Sequence, residues 1–321
     1  MRVLVLHSDV PADAPPDEQD TLATAECVAK ALRECGHEVV QGAFVPDPQL
    51  FDRMLLGTDV VFNLVESVFG RGSLAGIAPA MLEQRGVCFT GTPSIAINSC
   101  ADKPFTKRVL RAAGLPTPDW SEPPHWECIS EDRQYVVKAA AEDSSVGLDD
   151  ASVVRGGEAL RARAGWSVAQ HGGIWFAESY CPGREFNVSI LETAAGPRVL
   201  PIAEIVFPDW QPDRPRLVGY AAKWDTHSED SMATPRVFGI EKEEPELAQD
   251  IARLSLAAWN LFGLRGYARI DFRLDEESRP TILEINPNPC LEREAGFAAA
   301  AEKAGLSYAN LVERILRVAI A

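Results

Sequence analysis

Hydrophobic residues in the first hundred positions follow two alternating patterns. Short runs rich in valine and leucine occur at residues 2–7, 38–40, 59–64 and 87–90. Between these runs, hydrophobic residues recur at helical spacing over residues 21–35, 73–85 and 93–100. Asp20, after a loop over 8–20, is the expected N-cap of the first helix, and Gly36 is its expected stop. Strands that alternate with helices predict a parallel sheet covered on both faces.

The pattern becomes mixed after Asp102. A helix is expected over residues 103–113, and valine-rich strands with glycine-rich turns follow it. A long helix is expected over 245–262, and a last helix begins at Ser307. The segment 207–237 has little periodicity, and an unstructured stretch of that length is typical of a lid over a site.

These changes of pattern place one break near residue 102 and a softer one near 177. We therefore expect an N-terminal parallel α/β domain over 1–102, a central α+β lobe over 103–177, and a C-terminal α+β lobe with an antiparallel sheet over 178–321. The hairpin and the lid discussed below both belong to the C-terminal lobe.

The composition is that of an ordinary globular protein, with 46% hydrophobic residues in 321. Its 47 acidic and 31 basic residues leave a net charge of −16, which repels nucleic acid and anionic lipid. No apolar run approaches the roughly 20 residues that span a bilayer, so a cytoplasmic location is expected. Seven scattered cysteines without metal-binding spacing are expected to be reduced thiols.

Charged residues alternate with hydrophobic ones on two neighbouring strands near the C-terminus, 266–274 and 281–287. If the loop between them is a simple hairpin, Leu274 pairs with Thr281. Asp271 then lies opposite Glu284, and Arg269 opposite Asn286. The same alternation puts Leu283 on the face of Ile285.

Two facing carboxylates repel each other and need a cation. Together with the Asn286 amide oxygen, they are hard ligands suited to Mg²⁺ or Mn²⁺. A second interpretation stays open, in which Arg269 and Arg273 neutralise the carboxylates on a solvated face. A one-residue bulge would also change the register.

Two lysines call for an explanation. Lys103 follows the expected N-cap Asp102, at the positive end of a helix dipole, where a cation is unfavourable unless an anion binds nearby. Lys138 precedes the small-residue loop 142–147, whose backbone N–H groups can bind phosphate. A solvated surface position is the alternative for either lysine, and no P-loop motif is present.

Several separated motifs together resemble one family. They are Asp102 to Arg108 with Ala112 to Pro118, Val136 to Lys138 with Glu142 to Gly147, Ala268 to Asp271, and Leu283 to Pro287. In this order and spacing they are similar to the D-alanine–D-alanine ligases of the ATP-grasp superfamily. The resemblance covers about residues 2 to 318. It implies an α/β protein with the three-lobed ATP-grasp fold and with ATP between the central and C-terminal lobes.

The resemblance also implies residue roles. The catalytic residues would be Arg269, which stabilises a tetrahedral intermediate, and Ser144. The ATP-binding residues would be Lys103, Lys138, Ser144, Ser145, Glu178, Tyr180, Cys181, Glu185 and Lys223. Within this set the lysines and serines bind phosphate, residues 178 to 181 form the adenine hinge, and Glu185 contacts the ribose. The magnesium ligands would be Asp271, Glu284 and Asn286.

Substrate recognition departs from the family pattern. Glu18 only weakly matches the glutamate expected to bind the donor ammonium, and Glu66 replaces a histidine. Asn288 lies where the family has serine, and Ala295 replaces the serine that would contact the acceptor carboxylate. D-alanine is therefore expected to be a poor acceptor, unless Arg293 or a backbone N–H near Gly296 takes over.

The expected function is that of an ATP-dependent carboxylate–amine ligase that acts through an acylphosphate. The cofactors would be ATP and Mg²⁺, and the partners small-molecule substrates; a homodimer is left open. A ligase that joins a different amino acid, amine or hydroxy acid in a biosynthetic pathway is one alternative. A catalytically silent ATP-binding protein is another.

Overall fold

The computed structural model of the protein describes residues 1–142, 145–208, 210–211, 213–220, 223 and 233–321. Its strands are β1 (Arg2–Ser8), β2 (Glu38–Phe44), β3 (Val60–Leu64), β4 (Trp120–Ser121), β5 (Gln134–Ala139), β6 (Val153–Arg155), β7 (Trp175–Ser179), β8 (Glu185–Thr193), β9 (Gly196–Val199), β10 (Ala203–Ile205), β11 (Arg236–Phe238), β12 (Tyr267–Leu274) and β13 (Pro280–Asn286). Its helices are α1 (Pro16–Glu34), α2 (Pro48–Leu55), α3 (Ile77–Gln84), α4 (Ser94–Ala101), α5 (Lys103–Ala112), α6 (Gly156–His171), α7 (Ile240–Glu243), α8 (Pro245–Phe262), α9 (Gly296–Lys303) and α10 (Tyr308–Ala319).

The N-terminal sheet is parallel, as the pattern predicts, with the strand order β2–β1–β3. Side chains of β1 alternate between its two faces. Val3 and Val5 share a core with α1 and α10, whereas Leu4 and Leu6 share another with α2 and α3. The last helix of the chain therefore packs in the same core as the first strand.

Several elements in this region differ from the predictions: β2 runs on to Phe44, and α2 was not predicted. The helix α1 begins at Pro16, so Asp20 lies inside the helix and is not its N-cap. Proline is well suited to the first helical position because it has no N–H to satisfy and its φ is already helical. The predicted strand 87–90 forms only a single parallel bridge between Val61 and Phe89. The predicted helix 73–85 is divided into a 3₁₀ turn and α3.

A four-stranded antiparallel sheet follows, with the order β4–β7–β5–β6. Helix α6 packs on it through Leu160 and Ala164, which share a core with Val137 and Trp175. Helix α5 precedes this sheet and begins at Lys103, because the Asp102 side chain accepts a hydrogen bond from the Phe105 N–H.

The third sheet is antiparallel and has the order β11–β10–β8–β12–β13, with β9 paired to β8. Helix α8 covers it through Ile251 and Trp259, which pack with Ile270 and Phe272 of β12. The helix α8 has the predicted bounds. The helix α10 begins at Tyr308, one residue after the predicted start, because the Ser307 side chain caps it by accepting a hydrogen bond from the Asn310 N–H.

Within the ranges that the structure describes, no helix is long and apolar enough to cross a membrane.

Candidate active site

The hairpin of β12 and β13 aligns the predicted metal ligands. Arg269 pairs with Asn286, and Asp271 pairs with Glu284. Both predicted pairs are confirmed. Side chains of directly opposed residues lie within about 5.5 Å at Cβ, so the two carboxyl groups lie side by side on one face of the hairpin.

The register nearer the turn differs from the prediction. Leu274 pairs with Pro280 rather than Thr281, and Phe272 pairs with Ile282. A bulge between Asp271 and Phe272 shifts the register by one residue and restores the predicted pairs. The extra residue is Leu283. Ile282 therefore shares the buried face with Ile285, where Leu283 was predicted to lie.

Asp271 is held by two neighbours. Its carboxylate accepts hydrogen bonds from Nε and Nη2 of Arg269, both at 2.8 Å. The Asn187 side chain, opposite it on β8, donates a third at 2.9 Å. The predicted neutralisation by two arginines is thus correct for Arg269 alone. Arg273 instead contacts Glu185, with Nη2 3.0 Å from Oε2.

Glu284 lies among cations. The Lys103 ammonium is 4.0 Å from its Oε2. Burial by itself would raise the pKa of Glu284, but Lys103, Lys138, Lys223 and Arg269 together lower it to about 2. The carboxylate is therefore ionised at neutral pH and able to bind a cation.

Lys103 is oriented by the central lobe. Its backbone N–H donates to Ala140 O at 2.9 Å, and its ammonium donates to Glu142 O at 2.7 Å. The side chain is only 7% exposed. An ammonium buried at a helix N-terminus, beside the loop that begins at Glu142, is the arrangement that the sequence predicted for an anion site.

Lys138 forms a buried ion pair with Glu178. The same carboxylate binds a second lysine, Lys107, which no sequence motif singles out. Glu178 contacts Lys138 through Oε1, and the Lys107 ammonium lies 2.6 Å from its Oε2. Burial lowers the pKa of Lys107, and Glu178 opposes this effect. Burial raises the pKa of Glu178, but the two lysines reverse the effect and leave it below its ordinary value. The one available signal was its spacing, since Lys107 lies four residues after Lys103 on the same helix face.

The residues predicted to bind adenine and ribose lie at the end of β7, in the turn that follows it and at the start of β8. Arg273 orders this turn, because its Nη1 donates to Cys181 O at 2.9 Å while its Nη2 lies close to Glu185. The Tyr180 N–H donates to Gln134 O at 3.0 Å. Burial raises the pKa of the Cys181 thiol, which suits a structural rather than a reactive cysteine.

Described parts of the segment 207–237 contact the loop predicted to bind phosphate. Ser145 Oγ donates to Val218 O at 3.2 Å, and the Tyr220 N–H donates to Leu148 O at 3.0 Å. Ser144 lies outside the described residues. Burial lowers the pKa of Lys223, and so does the positive charge of Arg269, whereas the negative charge of Glu284 raises it. Lys223 is therefore within electrostatic reach of the hairpin. A lid role for this segment stays a prediction.

Two predicted substrate residues, Asn288 and Glu66, lie beside the end of β3 in the N-terminal domain. Asn288 accepts a hydrogen bond from the Tyr267 hydroxyl at 2.6 Å and donates to Val65 O at 3.3 Å. Glu66 follows Val65 directly, and its charge helps to raise the pKa of the partly buried Cys290 thiol.

Two further predicted substrate residues border this region. Glu18 borders Gly70, because a Cβ at that glycine would lie 3.5 Å from Glu18 Oε1. Ala295 is the N-cap of α9, where it offers no side-chain hydrogen bond.

The donor set fits a hard divalent cation. It consists of two carboxylates and one amide oxygen, and Asn286 Oδ1 already accepts the Asn288 N–H at 3.1 Å. No group of three or more His, Cys, Asp or Glu side chains forms a metal site among the described residues. The metal site at the hairpin therefore stays a prediction, and Arg269 is bound to one of its carboxylates.

Comparison with known proteins identifies the family of this chain. A family model described as D-ala D-ala ligase C-terminus matches residues 110–317. The chain is 30% identical to a D-alanine–D-alanine ligase from Aquifex aeolicus, over 98% of this chain and 100% of that protein. It is 31% identical to the uncharacterized protein y4sG of Sinorhizobium fredii, over 96% of this chain and 91% of that protein.

A solved structure is similar in fold. It is a D-alanine–D-alanine ligase from Bacillus anthracis complexed with ATP, which matches with a TM-score of 0.75 and 20% identity. The match covers 100% of this chain and 97% of the other.

Proposed function

Because the chain belongs to the D-alanine–D-alanine ligase family, ATP-dependent ligases of the ATP-grasp superfamily, we propose that it joins a carboxylate to an amine and forms ADP. The family and the α/β ATP-grasp fold predicted from the motifs are both confirmed. Substrate identity, the metal and the individual residue roles are part of the proposal.

One observation carries the proposal. Arg269, Asp271 and Glu284 face the same cleft as Lys103, with Lys138 close enough to lower the pKa of Glu284. Two carboxylates surrounded by cations suit a metal–nucleotide complex, because the metal binds the carboxylates and the phosphates bind the lysines. A purely structural ion-pair network would not need a lysine at a helix N-terminus.

Mg²⁺ would be held by Asp271, Glu284 and Asn286. When bound, it would supply charge neutralisation at the phosphate oxygens. Lys103 and Lys138 would bind the same phosphates from the central lobe, with Glu178 and Lys107 holding Lys138 in place. Glu185, fixed by Arg273, would accept hydrogen bonds from the ribose.

The proposed reaction has two steps. A substrate carboxylate oxygen attacks the γ-phosphorus of ATP, and ADP leaves, which produces an acylphosphate. The amine nitrogen then attacks the acyl carbon, loses a proton, and phosphate leaves. Arg269 would stabilise the oxyanion that forms in the second step, because its guanidinium lies at the cleft beside Asp271.

Water must be excluded from the acylphosphate. The contacts of Ser145 with Val218 and of Leu148 with Tyr220 close the phosphate loop against the segment 207–237. We propose that this segment is the lid that protects the intermediate.

A ligase for substrates other than D-alanine is a second candidate. It is favoured by Glu66 and Ala295, which differ from the residues expected in the family. The catalytically silent alternative is less compatible with the site, because an ATP-binding protein would not need Arg269 at the metal-binding hairpin.

The three sheets also support a division of the chain into three lobes. Boundaries near residue 102 and shortly after Ser179 suit them best, because β7 pairs with the central sheet and spans position 177.

Phosphate release from ATP and Mg²⁺ in the presence of pooled D- and L-amino acids tests the proposal. We expect release with the wild type and none with the double variant Asp271→Asn, Glu284→Gln. The matched control is Glu277→Gln in the turn of the same hairpin, which should keep wild-type activity. Equal activity in the double variant would show that the hairpin does not bind the metal–nucleotide complex.

A further inference from the structure

Asn288 lies in the loop that follows the hairpin, between Pro287 and Pro289. Neither proline has a backbone N–H, so Asn288 provides the one backbone donor of this Pro-Asn-Pro sequence. Its N–H donates to Asn286 Oδ1 at 3.1 Å. A carbonyl oxygen has two lone pairs, so Asn286 Oδ1 can accept this hydrogen bond and still bind a cation. The backbone of Asn288 therefore orients the oxygen of a proposed metal ligand.

The side chain of Asn288 is held by two lobes. Its Oδ1 accepts a hydrogen bond from the Tyr267 hydroxyl at 2.6 Å, and its Nδ2 donates to Val65 O at 3.3 Å. Tyr267 is the first residue of β12, so one partner belongs to the hairpin. Val65 directly follows β3, so the other belongs to the N-terminal domain. These two hydrogen bonds fix the backbone of Asn288, and with it the N–H that contacts Asn286.

Tyr267 is a rigid support for this amide. Its side chain is fully buried, and its ring packs edge-to-face on Phe297 of α9 with the ring centroids 5.7 Å apart. Burial raises the pKa of its hydroxyl well above the ordinary value, and the negative charge of Glu66 raises it further. The hydroxyl therefore keeps its proton at neutral pH and acts as the donor to Asn288.

The partner in the N-terminal domain is fixed as well. The Val65 N–H donates to Asn63 Oδ1 at 3.3 Å, and Asn63 lies within β3. The two residues after Val65 donate their N–H groups to Ser8 Oγ, at 3.0 and 3.1 Å. Ser8 is the last residue of β1. Val65 O thus belongs to a turn that two neighbouring strands of the parallel sheet hold in place.

We infer that Asn288 is a positioning residue that holds the proposed metal ligand Asn286 in place, and that Tyr267 holds Asn288 in turn; this inference rests on the proposed function. The sequence predicts a substrate contact for Asn288, whereas its observed contacts lead to Asn286 and to two rigid supports. Groups that orient a metal ligand without touching the metal commonly contribute about ten- to a hundredfold to metal affinity or activity.

Binding of Mn²⁺ tests the inference without turnover. Mn²⁺ is titrated calorimetrically into the protein alone and into the protein saturated with ADP. Asn288→Leu keeps the approximate shape of the side chain and removes both of its hydrogen bonds, so we expect Mn²⁺ affinity to fall by about tenfold or more. Tyr267→Phe removes the hydroxyl alone and should lower it by a smaller factor. The affinity for ADP without metal should stay within about twofold, because its proposed lysine contacts lie in the central lobe.

Turnover separates positioning from substrate contact. With the most active substrate pair from the phosphate-release screen, Asn288→Leu and Tyr267→Phe should both lower kcat, while the KM of each substrate stays within about twofold. A side chain that contacts a substrate would behave differently. Asn288→Leu would then raise the KM of that substrate at unchanged kcat, and Tyr267→Phe would have no effect. That result would overturn the inference.

A double variant and a control make the result specific. If Tyr267 acts through Asn288, the double variant should bind Mn²⁺ as Asn288→Leu does, because the second substitution removes nothing further. The control is Tyr308→Phe. Its hydroxyl donates to Leu291 O at 2.7 Å in the same loop, farther along the chain from Asn286. Tyr308→Phe should leave Mn²⁺ affinity within about twofold.

The contrary outcomes are distinct. Wild-type Mn²⁺ affinity in Asn288→Leu would overturn the inference, and so would an equal loss in Tyr308→Phe, which would show a general loosening of the loop. Should Asn288→Leu not fold, Tyr267→Phe decides: weaker Mn²⁺ binding supports the inference and unchanged binding overturns it. A wild type that releases no phosphate with any pair would refute the proposed function; Mn²⁺ binding that still depends on Asn288 would support the inference. A wild type that binds no Mn²⁺, alone or with ADP, would overturn both.

Discussion

Glu284→Gln should destabilise the folded protein even without nucleotide. Glu284 faces Asp271, and removal of one of two facing like charges would ordinarily leave a sheet unharmed. In this structure the cations around Glu284 make the removal of its charge destabilising instead. Lys103, Lys138, Lys223 and Arg269 lower the pKa of Glu284 from 4.5 to about 2. At about 1.4 kcal/mol for each tenfold change, the ionised carboxylate stabilises the fold by about 3 kcal/mol.

The dependence on pH follows from the same comparison. The pKa of Glu284 is lower in the folded than in the unfolded protein, so the stabilisation is complete above pH 4.5 and is lost as the pH falls towards 2. The difference between the wild type and Glu284→Gln should therefore be constant from pH 8 to pH 6. It should narrow by about 1 kcal/mol by pH 4.

Urea unfolding followed by circular dichroism measures this difference. Glu277→Gln is the control, because Glu277 lies in the turn of the same hairpin and its exposed carboxylate pairs with the exposed Arg279, at 2.6 Å. It should have little effect on stability. Equal stability of Glu284→Gln and the wild type at pH 7 would refute the electrostatic reasoning. A difference that does not shrink between pH 6 and pH 4 would point to packing instead.

Five other substitutions test the site. Lys103→Ala and Lys138→Ala should each weaken ATP binding by about tenfold or more, measured by calorimetry, because charge-assisted contacts to phosphate are strong. Arg269→Lys should lower kcat by about a hundredfold and change ATP affinity little, because the contact of the guanidinium with the reacting oxyanion forms mainly in the transition state. Glu178→Gln should lower the free energy of unfolding by about 3–5 kcal/mol, because two buried ammonium groups lose their partner; Lys107→Met should cost less, because Glu178 keeps Lys138.

Each of these predictions has a contrary outcome. Wild-type ATP affinity in both lysine variants would place the phosphates elsewhere. A parallel loss of ATP affinity in Arg269→Lys, with kcat unchanged, would give Arg269 a structural role through Asp271. If Lys107→Met proved less stable than Glu178→Gln, the buried pair would owe its stability to the packing of Lys107 rather than to charge.

The hairpin shows how far a pattern of residues predicts a site. Alternation along β12 correctly indicates that Arg269 and Asp271 share a face, because the period of a strand is two. Counting from the turn gives the right partners only because two errors cancel. The turn is one residue tighter than assumed, and the bulge at Leu283 compensates. No local rule predicts a bulge, since it depends on the twist of the whole sheet.

Contacts between distant segments are the part that the sequence does not disclose. Lys107 is buried because Glu178, about seventy positions later, lies beside it. The Arg236 guanidinium, on the short strand β11, lies beside Gly296, sixty positions later in the chain. Such pairs depend on the packing of separate elements, whereas Lys103 and its cap Asp102 depend on one turn of helix and are predicted from the sequence.

The shared core of α1, α10 and β1 has a consequence for dissecting the chain. Leu311, Val312 and Ile315 of α10 lie in one cluster with Val3 and Val5. A fragment that ends at residue 102 would keep α1 on this face of the sheet but would expose to water the part of the core that α10 covers. The change of sequence pattern near residue 102 marks a boundary between lobes, but residues 1–102 alone do not form an autonomous folding unit. Expression of the first 102 residues should yield an aggregation-prone product unless the C-terminal helix is supplied as well.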